Sequence, residues 1–145
     1  MNNMYHAMNV FLADVTVLSQ KVHTIHWNLK GEDFIPIHGE LDEFYDELQE
    51  FIDESAERLL MIGDRPVGNL KDMLAMTRLT ELENDDIRSK EAFTALIGDY
   101  NLLRTQCLRI VELSEEGQDP GTADIFTDII RKVEKKLWIM NSYIT

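Results

Sequence analysis

Basic residues, cysteine, proline and glycine are all scarce in this chain. Fourteen Lys and Arg stand against 27 Asp and Glu in 145 residues, for a formal net charge of −13. Phosphate binding is built mainly from Lys and Arg, so the deficit argues against a nucleic-acid surface and makes metal cations the more natural partners. No Lys or Arg precedes Lys21 and none closes the chain near Thr145, so neither end reads as a basic arm. The lone Cys107 excludes an internal disulfide and fits a reducing compartment. The N-terminal segment lacks a positively charged region, and Asp14 interrupts its short apolar run, so a signal peptide is not expected. No apolar stretch approaches the ~18–20 residues of a membrane span. The expected location is cytoplasmic.

The seven Gly and three Pro are placed as punctuation. All but Gly98 fall in three clusters, Gly31-Pro36-Gly39, Gly63-Pro66-Gly68 and Gly117-Pro120-Gly121, which divide the chain into four long segments. Apolar residues within each segment alternate at three and four. Tyr5, Met8, Leu12, Val15, Ser19, Val22 and His26 form the first series, and Ile37, Leu41, Phe44, Leu48, Phe51, Ser55, Leu59 and Ile62 the second. Phe93, Leu96, Tyr100, Leu103, Cys107 and Ile110 form the third, and Phe126, Ile130, Val133, Leu137, Met140 and Ile144 the last. This is the period of amphipathic helices around a shared core. The third segment contains the acidic stretch Thr80–Asp86 and so divides into a short helix, Asn69 to about Met76, a loop, and a helix from about Ser89. Long helices of ~35–42 Å suit an all-α four-helix bundle with one short extra helix, read as one domain over 1–145.

The second helix carries more than a core stripe. At ~100° per residue His38, Asp42, Asp53 and Glu57 lie within ~100° of one another, away from Leu41, Leu48 and Phe51. Tyr45, Gln49, Ile52, Ala56 and Leu60 share that face, so the helix is apolar on two sides and asks for a partner chain. His38 and Asp42 are one turn apart, as are Asp53 and Glu57, but the pairs lie ~16 Å from each other along the helix. Both the 38/57 and the 42/53 positions are centred between residues 47 and 48. A twofold axis there would set His38/Asp42 of one chain opposite Asp53/Glu57 of another, giving two identical sites. An imidazole with three carboxylates suits Fe(II), Mn(II) or Zn(II). Helix two is crowded with acids, and a solvated charged face reads the same residues differently. His26, closing the apolar series of helix one, favours the metal site, with His23 beside it as a packing or hydrogen-bonding neighbour.

Other chemistries find no support. Positions three before His6, His23, His26 and His38 hold Asn3, Gln20, His23 and Ile35, so no Glu-x-x-His of a core di-iron bundle exists. His-Glu-x-x-His, phosphate-loop and Gly-x-Ser-x-Gly motifs are absent as well. Cys107 continues a core series and reads as a small buried hydrophobe.

The run His26-Trp27-Asn28-Leu29-Lys30-Gly31, with Phe34, His38, Asp42, Tyr45 and Asp53-Glu54-Ser55-Ala56-Glu57-Arg58-Leu59, resembles the Dps family of mini-ferritins. Ile62-Gly63-Asp64-Arg65-Pro66 and Trp138 fit the same pattern over nearly the whole chain. Gly39 stands where the family usually has Glu, Asp64 replaces the second glycine of a Gly-Gly, and the Lys-rich tail of DNA-binding members is missing. The resemblance implies a ferritin-like fold and hollow dodecamers built from homodimers. It further implies intersubunit ferroxidase centres that oxidise Fe(II), preferably with hydrogen peroxide, and storage of Fe(III) mineral, protecting against oxidative damage. His26, His38 and Asp42 would come from one subunit, with Asp53 and Glu57 from its mate. Trp27 would donate electrons or pack. Asp119, Asp124 and Asp128, near the start of the last helix, would line a pore for Fe(II), although acids there are also ordinary partners of the helix dipole. A DNA-compacting protein and a non-catalytic helical dimer are the alternatives.

Overall fold

The computed structural model describes residues 2–145 and consists of five helices: α1 (Asn2–Asn28), α2 (Phe34–Met61), α3 (Leu70–Met76), α4 (Ser89–Glu116) and α5 (Pro120–Ile144). The four long helices form two hairpins, α1–α2 and α4–α5, which pack together chiefly through α1 and α4. The crossover from α2 to α4 carries α3 across the outside of α1. Its end is joined to the α1–α2 connection by an isolated parallel bridge between Leu29 and Ile87.

Local chemistry explains where the elements end. Pro36 sits in the first turn of α2, where its missing N–H has no helical partner in any case. At the other end Gly63 adopts φ +94°, while Gly63 N donates to Leu60 O and Asp64 N to Leu59 O. That pair of bonds closes the helix in the manner for which glycine is favoured. Gly39, read as punctuation, lies inside α2.

Every core residue expected on α4 is buried, Cys107 among them, and on α2 all but Ile62 are buried. Burial pushes the Cys107 thiol far above its usual range, which leaves it without nucleophilic character. On α5 the core position is Ile129 rather than Ile130, one residue earlier in the turn. The larger departure is α1. Beyond the expected stripe, Phe11, Leu18 and Ile25 are fully buried, and Val17 nearly so. The helix is enclosed on almost every side because the crossover covers what would otherwise be its wet face. Asp14, buried on that side, receives Arg78 Nε at 3.0 Å and Nη2 at 2.7 Å, together with Thr77 Oγ1 at 2.7 Å. A buried carboxylate needs this degree of satisfaction, and here it pins the crossover to α1.

Candidate metal centre

His26 near the end of α1 and His38 near the start of α2 face each other across the tight α1–α2 connection. Their rings stack with centroids 3.6 Å apart and an interplanar angle of 10°. His26 Nδ1 donates to the His38 carbonyl at 2.8 Å, and His38 Nδ1 donates to the His26 carbonyl at the same distance. A carbonyl oxygen can only accept, so each Nδ1 carries a proton, and Nε2 is the ring nitrogen left for another partner. Phe34 stacks on the far face of His38 at 4.7 Å. Holding the second nitrogen of a ligating histidine in this way is how proteins orient imidazoles toward a metal.

Asp42 comes to the same place. His26 Nε2 lies 3.4 Å from Asp42 Oδ1. The spacing suits adjacent ligands on one ion. The Asp42 side chain is 59% exposed, whereas His26 is only 8% exposed, so the group opens outward from the helical seam.

Asp53 and Glu57 are exposed on the same side of α2 toward its other end, and among the described residues they have no hydrogen bond or ion pair. The chain does not bring them to His26. Among the described residues no three His, Cys, Asp or Glu side chains form a group able to hold a metal ion. Within one chain the two groups stay apart.

The second face of α2 is drier than its spacing implied. Tyr45 stacks on His23 of α1 with centroids 3.5 Å apart, Gln49 Nε2 donates to Ser19 Oγ at 2.7 Å, and Ile52 and Ala56 are half-buried. Part of the apolar area assigned to a partner chain is thus covered by α1 of the same chain. Leu60 stays exposed, as does Trp27 at 62%, its ring 5.0 Å from that of His23. His23 packs, and burial followed by the neighbouring His26 lowers its pKa.

The ferritin-like domain family matches residues 5–145. The DNA protection during starvation protein of Helicobacter pylori is 30% identical over 132 residues, spanning 91% of this chain and 92% of its own. The namesake from Agrobacterium fabrum is 34% identical over 137 residues, covering 94% and 85%. A solved Dps structure from Vibrio cholerae O1, described as a member of a superfamily of ferritin-like diiron-carboxylate proteins, superposes with a TM-score of 0.96 at 31% identity, covering 99% and 90%. This chain belongs to the Dps family of ferritin-like proteins. Its helices are the family's four-helix bundle, with α3 as the short extra helix.

The three aspartates expected at a pore have different surroundings in this Dps-family chain. Asp119 is the N-cap of α5, accepting from Thr122 N at 3.1 Å, and it also accepts from Arg58 Nη2 at 2.8 Å. Burial alone would raise its pKa, but the hydrogen bonds from Thr122 and Arg58 outweigh that and hold it below the usual carboxylate range. Asp128 pairs with Lys132 at 3.1 Å and Arg131 at 3.0 Å. Asp124 is exposed and has no such partner among the described residues. Arg58 was not singled out by sequence, although its place four residues after Glu54 is a signal of charge pairing.

Proposed function

We propose that this Dps-family protein is an iron-storing, iron-detoxifying mini-ferritin whose ferroxidase centres form between subunits. The observation that carries the reading is the pair of stacked imidazoles with both Nδ1 atoms engaged by carbonyls and the His26 Nε2 3.4 Å from Asp42. Fe(II) is the substrate. In an antiparallel homodimer His26, His38 and Asp42 of one subunit would meet Asp53 and Glu57 of the other, a nitrogen and oxygen set that suits Fe(II) and retains Fe(III). Asp53 and Glu57 would bind the first iron most strongly, Glu57 bridging, and the imidazoles would complete it or a second position. Two Fe(II) ions give two electrons, and hydrogen peroxide with two protons becomes two waters. Consuming ferrous iron and peroxide together withholds the reagents of hydroxyl-radical formation. A hollow dodecamer would store the ferric product, with Asp124 exposed to attract incoming cations. The charge of −13 makes DNA compaction the weaker reading.

The deciding experiment loads Fe(II) anaerobically, adds a pulse of peroxide and follows ferric absorbance in the wild type and in Asp53→Ala/Glu57→Ala. Rapid oxidation in the wild type and its loss in the variant are expected. Equal, slow oxidation in both would refute the proposal.

A further inference from the structure

Asp53 and Glu57 line a cavity of about 420 Å³ between α2 and α5, with Glu50 and Glu54 beside them. Two cations, Arg58 and Lys132, line the same cavity. Both are tied to acids of α5 instead of to the acids of α2.

On a lone helix Arg58 would pair with Glu54, one turn earlier and in the favourable order. It also follows Glu57 directly. Here its Nη2 donates to Asp119 Oδ1 at 2.8 Å and its Nε to Thr122 Oγ1 at 3.0 Å. Gly121 makes room for this arrangement, since a Cβ there would lie 2.5 Å from Nη2. Lys132 Nζ sits 3.1 Å from Asp128 Oδ2. Among the described residues Glu50, Asp53, Glu54 and Glu57 form no salt bridge, although two cations line their pocket and Glu50 is near enough to Lys132 to favour its charge.

We propose that Asp119 and Asp128 are positioning residues that hold Arg58 and Lys132 off the Asp53/Glu57 pair, so that this half-site keeps its negative charge for Fe(II). The inference rests on Asp53 and Glu57 being iron ligands. A guanidinium released onto Glu54 or Glu57 would place a unit charge within several ångströms of a divalent ion. Screened by water at a separation of about 6 Å, that repulsion is about 1.4 kcal/mol and weakens binding about tenfold. The role differs from that of a pore lining: these aspartates act through the cations they restrain.

The test is an anaerobic calorimetric titration with Fe(II) of the wild type, Asp119→Asn, Arg58→Gln/Asp119→Asn and Glu57→Gln. Asparagine keeps the N-cap acceptor, so the substitution chiefly frees Arg58. Asp119→Asn is expected to bind about tenfold more weakly. The double variant lacks the clamp altogether, yet it is expected to regain wild-type affinity because the freed cation is gone. If Asp119 only held the fold, the double variant would stay as weak as the single. That result, or wild-type binding by Asp119→Asn, overturns the inference. The same series on Asp128→Asn and Lys132→Gln/Asp128→Asn probes an exposed pair whose loss does not threaten folding, with a smaller shift in the same direction. Glu57→Gln binding as tightly as the wild type would sink the ligand assignment itself, and with it the proposed function.

Discussion

At one end of α2, His38 is stacked between His26 and Phe34 and its Nδ1 proton is committed to a carbonyl. At the other end, Asp53 and Glu57 are exposed on the helix surface and, among the described residues, have no hydrogen bond or ion pair. In the proposed centre the nitrogen half would be organised before any ion arrives and would lose little freedom on binding. The carboxylate half would be ordered by the ion or by a partner chain. A rigid half and an adaptable half suit an ion whose coordination changes with oxidation state, since soft rearrangement is confined to the oxygens.

The sharpest way to break this comparison is to separate the halves onto different chains. His38→Ala/Asp42→Ala and Asp53→Ala/Glu57→Ala should each lose rapid Fe(II) oxidation. Unfolded together and reassembled in equal amounts, half of the dimers would be mixed, and each mixed dimer would own one intact site of two. About a quarter of wild-type activity should return. No recovery would mean that the halves do not meet across a twofold.

Sterics give the next largest effect. Gly121→Ala sets a methyl 2.5 Å from Arg58 Nη2, so the clamp must shift, and thermal unfolding should register a loss of about 1–3 kcal/mol. A smaller contrast sharpens the difference between the ends. His38→Ala removes the ring on which His26 is stacked and should cost about 1 kcal/mol, whereas Glu57→Ala should leave stability within about 0.5 kcal/mol. Equal effects would show that the nitrogen half is no better organised than the oxygen half. The smallest effect concerns acid. Asp119 has a lowered folded pKa, so its stabilisation is complete above the ordinary value of 3.8 and fades as pH falls through the folded value. Asp119→Asn should therefore narrow its stability gap to the wild type only as pH falls below about 3.8 toward the folded value, measured by melting at stepped pH.

Helix number, the short α3 and nearly the whole α2 and α4 cores were legible because periodicity records burial directly. His26, His38 and Asp42 were legible as candidates because imidazoles are few and their spacing is regular. The reciprocal Nδ1 bonds were not, since their acceptors are backbone carbonyls, which carry no residue signature. The enclosure of α1 escaped for a related reason. Phe11, Leu18 and Ile25 widened the core stripe in plain view, and Phe11 meets Phe126 of α5 with ring centroids 5.2 Å apart, but cover for the side bearing Asp14 depended on a crossover tied to it through Arg78, distant in sequence. Asp119 could be read as a helix-capping acid or a pore acid, and only the placement of Arg58 distinguished the uses.

The crossover pinned at Asp14 also divides labour along the polypeptide. Every proposed ligand falls in the first hairpin, between His26 and Glu57, while α4 and α5 supply none. On the proposed assignment the second hairpin supplies core, the restraining Asp119 and Asp128, and the exposed Asp124, but no ligand. Chemistry and architecture are thus inherited on separate stretches of the chain, and a protein nicked within the crossover would still own a complete set of ligands on one fragment.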